Sequence, residues 1–221
     1  MTENYWDTFY AKKSLGLRPS TFAQWCTTEG GLLAHDAVLE IGCGNGRDSY
    51  FFAQQGLHVV GVDASQVAIR NNQEQADTST IEAPCVFVHA QLGPGASWEQ
   101  LTVQRTVKPT AIYCRFVLHA VTQAEAKAIL DFCAAFLKPQ EKLYLEFRTT
   151  RDPMFQRGEK VGEHERMTDH YRRFIEPEPF RDQMAQRGWQ ELYFLESDGL
   201  SPYKDDDPVL ARLIYEKTAA Q

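Results

Sequence analysis

The chain has 221 residues, 43% of them apolar and 24% charged, and a formal net charge of -7. At this size one globular domain, or one with a lid, needs no covalent staples, and the acidic balance argues against a general nucleic-acid binder, which needs a cationic footprint. No apolar run reaches the ~20 residues of a membrane helix, the start Met-Thr-Glu-Asn-Tyr-Trp-Asp is no signal peptide, and five cysteines without a CxxC pair fit a reduced, cytoplasmic protein without a metal site.

Taken in chain order, the first 35 or so residues predict helices lying across an open sheet edge. Ala37–Ile41 is a buried strand, Asp48–Gln55 a helix stopped by Gly56, and Leu57–Val62 a second strand. Ser65 stands at an N-cap position before Val67, Ala68 and Ile69. Cys85–Ala90 and Thr110–Cys114 are further strands. Thr122 and Glu125 form a capping box, in which each side chain satisfies the other residue's orphan backbone N–H. The helix it opens places Ile129, Leu130, Cys133, Phe136 and Leu137 on one face and stops before Pro139. Lys142–Phe147 is a fifth strand. Arg151–Asp182 then carries 15 charged residues and predicts a mobile or site-covering insertion. Phe180–Arg187 is a helix ended by Gly188, and Trp189–Leu195 with Val209–Tyr215 predicts a closing antiparallel pair. The expected fold is α/β: a doubly wound, mostly parallel seven-stranded sheet with an antiparallel C-terminal strand pair and an N-terminal helical cover.

The most informative stretch is Val38-Leu-Glu-Ile-Gly-Cys-Gly-Asn-Gly46, which joins a buried strand to a helix. Glycines at 42, 44 and 46 permit a tight turn and close approach by a ligand, and the helix start directs N–H groups towards it. A nicotinamide fingerprint, G-x-G-x-x-G, would place the third glycine at 47, where this chain has Arg47. Glu40, two residues before the first glycine, would repel a pyrophosphate and suits an ammonium. Asp63 ends the second strand 17 residues after Gly46, where a carboxylate can take both hydroxyls of a ribose.

Glu40-x-Gly-x-Gly-x-Gly46 with Asp63 resembles the signature of class I S-adenosylmethionine-dependent methyltransferases, most clearly over residues 36–147. The resemblance implies S-adenosyl-L-methionine as cofactor. Glu40, Gly42, Cys43, Gly44 and Gly46 would hold its amino-acid end, Asp63 its ribose, and Ala64, Gln91 and Leu92 its adenine. In the family an acid often meets the adenine amino group where this chain has Gln91. Tyr5-Trp6-Asp-Thr-Phe-Tyr10 resembles the leader of small-molecule members, including thiopurine and tellurite-resistance methyltransferases. Trp6 and Tyr10 would cover the sulfonium, whose positive charge aromatic faces attract, or else anchor a surface helix. The chain then divides into a helical lid to residue 35, a cofactor core over 36–149, and an acceptor-side insertion with a hairpin over 150–221.

Methyl transfer from a sulfonium is an in-line displacement, so alignment and proton removal are the tasks left to the protein. Tyr113-Cys-Arg115-Phe-Val-Leu-His119 follows the fourth strand. If it opens a helical turn, Arg115 and His119 share a face. His119 would act as general base or merely order the turn through a backbone carbonyl. Arg115 would pair with the cofactor carboxylate or with Asp48, its backbone near the cofactor. A second constellation is Glu163-His164-Glu165-Arg166 followed by His170-Tyr171-Arg172-Arg173-Phe174. In an extended strand Tyr171 and Arg173 share one face, opposite Arg172 and Phe174. His170, Tyr171, Arg172 and Arg173 are therefore candidates to bind a polar, anionic acceptor, against the alternative of a self-paired charged surface. Similar-looking bacterial methyltransferases suggest small metabolites or sugars, most simply methylated at oxygen. No nucleic acid or membrane partner is expected, and the protein would be a monomer or homodimer. RNA or protein methylation, an inactive cofactor-binding module, and a nicotinamide oxidoreductase are the competing readings.

Overall fold

The computed structural model describes residues 3–12, 16–77, 83–91, 93–95 and 110–219, in two compact units, Met1–Tyr113 and Cys114–Gln221. The first contains α1 (Glu3–Lys12), α2 (Thr21–Thr28), β1 (Ala37–Ile41), α3 (Arg47–Gln54), β2 (His58–Asp63), α4 (Gln66–Asp77), β3 (Cys85–His89) and the start of β4 (Ala111–Arg115). The second contains α5 (Gln123–Phe136), β5 (Lys142–Arg148), β6 (Glu159–Gly162), β7 (Glu165–Met167), β8 (Tyr171–Arg173), α6 (Pro177–Gln186), β9 (Trp189–Ser197) and β10 (Leu210–Lys217). Among the described residues one sheet has seven strands in the order β3-β2-β1-β4-β5-β10-β9, and another has three, β6-β7-β8.

In the first unit β1 is buried at every position, as a strand covered on both faces must be. β1 pairs in parallel with β2, and β2 with β3, setting Glu40 opposite Gly61 and Asp63 opposite His89. Both carboxylates therefore stand at the carboxyl ends of their strands, where open α/β sheets bind ligands. The N-terminal helices do not lie across an open edge. Phe22 of α2 stacks on Tyr113 of β4, with ring centroids 5.2 Å apart, and Phe52 of α3 meets Tyr113 edge-on at 5.1 Å. Three large rings bury more apolar area against a central strand than an edge strand could offer.

A polar tie sits inside that aromatic cluster. Ser20 caps α2 by accepting from the Ala23 N–H at 3.0 Å, and its own N–H and hydroxyl donate to the two oxygens of buried Asp48, each at 2.7 Å. The Tyr113 hydroxyl donates to the same carboxylate at 2.9 Å. Three donors thus meet the buried Asp48 side chain, as a buried polar group requires.

In the second unit β10 is antiparallel to both β5 and β9, with Leu213 facing Leu145 on one side and Phe194 on the other. The capping box forms: Thr122 Oγ1 accepts from the Glu125 N–H, and Glu125 accepts from the Thr122 N–H at 2.7 Å. The charged stretch after residue 150 holds the three-stranded antiparallel sheet, in which Glu165 opposes Arg173 and Arg166 opposes Arg172. Arg166 is satisfied within this segment. It donates to the carbonyls of Phe155 and Glu165 and stacks on the Phe155 ring. No described helix is long and apolar enough to cross a membrane.

Replacing Tyr113 with Phe leaves the rings packed but removes one donor from a buried carboxylate. The expected loss is about 1.5–3 kcal/mol, read as a lower urea midpoint with an unchanged slope.

Candidate cofactor and acceptor sites

The glycine loop lies wholly within the first unit. Gly42, Gly44 and Gly46 have φ of 73°, 53° and 72°, left-handed values that a side chain strains to adopt. The loop is tied to the end of β2. The N–H groups of Gly42 and Cys43 donate to Val62 O at 2.8 and 2.9 Å, and that of Gly44 to Asp63 Oδ2 at 2.8 Å. The other Asp63 oxygen accepts from the Ser65 N–H at 2.8 Å. Glu40 is buried beneath the loop, and Ser49 of α3 donates its hydroxyl to Glu40 Oε2. Burial raises the Asp63 carboxyl pKa, while the Ser65 and Gly44 amides work against that shift. Cys43 is buried, and burial first, then the charges of Asp63 and Glu40, push its thiol far up, so it stays protonated and is no nucleophile.

The glycines do not all make room for a ligand. A Cβ on Gly46 would meet Asn72 Oδ1 and the Tyr50 ring, both at 2.9 Å. Asn72 in turn donates to Gly44 O at 2.8 Å, and the Tyr50 hydroxyl to Asn72 O at 2.7 Å. Gly46 therefore lets the loop dock on α4. A Cβ on Gly44 would overlap the Tyr10 hydroxyl, which places α1 directly over the loop. The Tyr10 pKa is raised by burial and by Asp63. Trp6 stacks with Tyr10 at 6.2 Å. Asp7 fixes the helix by accepting from Ser65 Oγ at 2.6 Å and from the Val67 N–H at 3.2 Å. Nothing in the local pattern points to Asp7, Ser49 or Asn72; each acts across 9 to 58 residues of sequence. Ala64 is half-buried, its carbonyl 3.0 Å from His89 Nε2, and Gln91 is exposed. Leu92 lies outside the described residues.

In the second unit the segment after β4 is not a helical turn. Phe116 turns the chain with φ of 61°, so the helical face expected for Arg115 and His119 does not exist. The Arg115 side chain has partners within the second unit. Its Nε donates to Glu146 at 2.7 Å, its Nη2 to Ser201 Oγ at 2.8 Å, and its guanidinium lies 3.8 Å from the Phe116 ring centroid. His119 is 4% exposed. It orders the turn, but by accepting: its Nδ1 takes the Arg148 backbone N–H at 3.1 Å. Burial first, and then the Arg148 guanidinium, hold its pKa well below the ordinary histidine value. With Nδ1 occupied as acceptor, neutral His119 carries its proton on Nε2. That nitrogen can donate a hydrogen bond but in this tautomer has no lone pair for a substrate proton.

β8 is extended, so Tyr171 and Arg173 do share a face. Tyr171 donates to Glu165 Oε1 at 2.7 Å and Arg173 Nη2 to Leu118 O at 2.9 Å. Arg172 pairs with Asp169, and His170 Nδ1 lies 3.1 Å from the same carboxylate. A cleft of about 330 Å³ is lined by Glu163, His164, Glu165, Arg173, Glu176 and Phe180, among others. Three carboxylates against one guanidinium make it a poor seat for an anion.

The methyltransferase domain family matches this chain over residues 17–193. The ubiquinone biosynthesis O-methyltransferase of Idiomarina loihiensis is 27% identical over 147 residues, covering 63% of this chain and 56% of that protein. The protein of the same name from Xanthomonas oryzae pv. oryzae is 29% identical over 150 residues, covering 66% and 59%. The matched region thus spans less than two thirds of the length of these relatives. Among solved structures, a SAM-dependent methyltransferase of Methanosarcina mazei has a TM-score of 0.69 at 16% identity, covering 86% of this chain and 96% of its own. The [4+2]-cyclase SpnF has a TM-score of 0.72 at 13% identity, covering 99% and 96%. S-adenosylmethionine is the cofactor of this family, and the residues present fit it. Asp63 accepts one backbone donor on each oxygen and keeps lone pairs for a diol, and a second buried carboxylate, Glu40, stands at the end of the neighbouring strand. The fold, the glycine loop with its two strand-end carboxylates, and the family match over most of the chain place it among the class I S-adenosylmethionine-dependent methyltransferases.

Proposed function

We propose that the protein transfers the methyl group of S-adenosylmethionine to an oxygen of a small, polar metabolite. One observation carries the cofactor half: the Gly44 amide hydrogen-bonds Asp63, joining the glycine loop to the ribose-binding carboxylate so that both ends of the cofactor meet one rigid frame. Glu40 takes the ammonium, Asp63 the ribose hydroxyls, and Tyr10 with Trp6 the covering role. The acceptor half rests on the second unit, where guanidinium and imidazole groups are held by buried partners. The relatives' names include O-methylation of a small molecule, which supports oxygen as the target. The [4+2]-cyclase shows that this fold carries other chemistry, so the deciding readout is S-adenosylhomocysteine release and not binding alone.

With a panel of hydroxylated and carboxylated metabolites, at least one should give acceptor-dependent S-adenosylhomocysteine and a product heavier by one methylene unit. Release that never exceeds the rate without acceptor, across the panel, argues for a non-transferring module. Asp63→Asn should weaken S-adenosylmethionine roughly 100-fold, because two charge-assisted hydrogen bonds become ordinary ones; calorimetry reads it directly.

The state of His119 sets two pH dependences. Because its folded pKa lies below its unfolded one, the unfolded chain binds the extra proton as pH falls through about 6.5. The stability it contributes is complete above that value and is lost below it, by up to about 1.4 kcal/mol per pH unit. His119→Asn keeps an acceptor for the Arg148 N–H and cannot protonate, so its stability should fall less between pH 6.5 and 5. The kcat/KM profile of the wild-type protein should show no limb near 6.5 assignable to His119. A limb there that disappears in His119→Asn would restore the base.

A further inference from the structure

The second unit buries three guanidiniums near one another. Arg115 and Arg212 share the carboxylate of Glu146, at 2.7 and 2.6 Å, and the three side chains are 9%, 7% and 0% exposed. Arg148 is 6% exposed and pairs through Nη1 with Asp152 at 2.8 Å, whose own side chain is 1% exposed. Asp152 is committed to the fold, because its other oxygen caps the Met154 N–H at 2.7 Å. Arg148 thus meets one buried carboxylate, Asp152. A second carboxylate, Asp206, reaches Arg148 from the loop between β9 and β10. Its Oδ2 takes Nη2, and its Oδ1 lies 3.4 Å from Nη1.

Asp206 differs from the other two acids in exposure: its side chain is 41% exposed. It belongs to a short exposed turn in which Tyr203 and Asp206 exchange backbone hydrogen bonds at 2.8 and 3.0 Å and Lys204 has φ of 54°. A buried guanidinium cannot go without an anion, since an uncompensated charge in the interior costs several kcal/mol. It can exchange one anion for another, and of its two carboxylate partners Asp206 is the exposed one, at 41% against 1% for Asp152. Two roughly parallel N–H···O contacts to one planar group are the geometry that guanidinium offers to a carboxylate. Arg148 also has a buried Nε without a hydrogen-bond partner, so its fork is not fully used as it stands. The neighbouring turn is coupled to it, because the Arg148 N–H fixes His119.

We propose that Arg148 anchors a carboxylate of the methyl acceptor, and that Asp206 holds that position until the acceptor displaces it. The inference deepens the methyltransferase reading and rests on it for the word acceptor; the carboxylate site itself is tested separately. It assigns anion recognition to Arg148 and not to the Arg172–Arg173 strand, whose partners are Asp169 and the Leu118 carbonyl.

Benzoate is the probe, with benzamide as its neutral counterpart, titrated by calorimetry at pH 7.5 into wild-type protein and variants. Asp206→Ala removes the competing carboxylate and should strengthen benzoate binding roughly tenfold to a hundredfold over wild type. Benzamide binding should not change. Adding Arg148→Gln to Asp206→Ala should abolish the gain; Arg148→Lys, which keeps the charge but not the fork, should lose most of it. If Asp206→Ala does not fold by circular dichroism, Asp206→Asn preserves side-chain volume and should still strengthen benzoate. Equal benzoate affinity in the wild type and the Asp206 variant, or a gain that survives Arg148→Gln, overturns the proposal. A gain for inorganic phosphate without one for benzoate overturns the carboxylate assignment. S-adenosylmethionine titrated into the same wild-type preparation reports on the methyltransferase reading alone: its failure to bind would sink that reading while the benzoate comparison kept its own outcome.

Discussion

The carboxyl end of β2 holds the glycine loop by three backbone donors. Two go to the Val62 carbonyl and the third, from Gly44, goes to the Asp63 carboxylate. The consequence is that backbone and side chain of one strand end determine the shape of the turn that follows another. Left-handed backbone at three alternate glycines would otherwise be a costly, poorly defined loop, since glycine loses the most conformational freedom on folding. Here Asn72 and Tyr50 pack into the space left at Gly46 and Tyr10 into that left at Gly44. The loop is therefore pre-shaped, and a ligand that uses it need not meet the ordering cost itself. Glu40 and Asp63 lose solvation at these positions, which a protein of marginal stability tolerates where the charges have donors in place.

Much of this first unit was legible in the sequence because its signals are local. Three glycines at fixed spacing and an acid at each strand end lie within 25 residues. The spacing that puts Arg47 where a dinucleotide fold needs glycine also matches the structure, in which Gly46 is the left-handed N-cap and Arg47 the first helical residue. What periodicity could not supply was the partner of each buried polar group. Ser20 and Tyr113 converge on Asp48 from 28 and 65 residues away. The roles of Ser49 and Asn72 depend on which helix packs under the loop.

The second unit is less legible, for the same reason in stronger form. A histidine four residues from an arginine suggested a shared helical face, but Phe116 takes a left-handed conformation and breaks it. A dense run of arginines suggested anion recognition, yet those side chains already have acids or carbonyls of their own. Arg148 and Asp206, 58 residues apart, leave no sequence signature: one ends an apolar strand and the other sits in an acidic loop. The contact with Arg148 distinguishes Asp206 from Asp205 and Asp207, and that contact exists only in the fold.

The proposed reading assigns the cofactor to the first unit and the acceptor to the second. The electrophile arrives already activated, so a rigid frame for its nucleoside and amino-acid ends supplies alignment. On the proposed reading His119, whose Nδ1 is taken by the Arg148 N–H, serves an acceptor as a hydrogen-bond donor. The most direct measurement is a calorimetric titration of the purified wild-type chain with S-adenosylmethionine and, in parallel, with NADPH. Saturable one-to-one binding of the sulfonium nucleoside at micromolar concentration, and no heat from the dinucleotide, is the predicted result. Binding of NADPH with none of S-adenosylmethionine would contradict the account at its base.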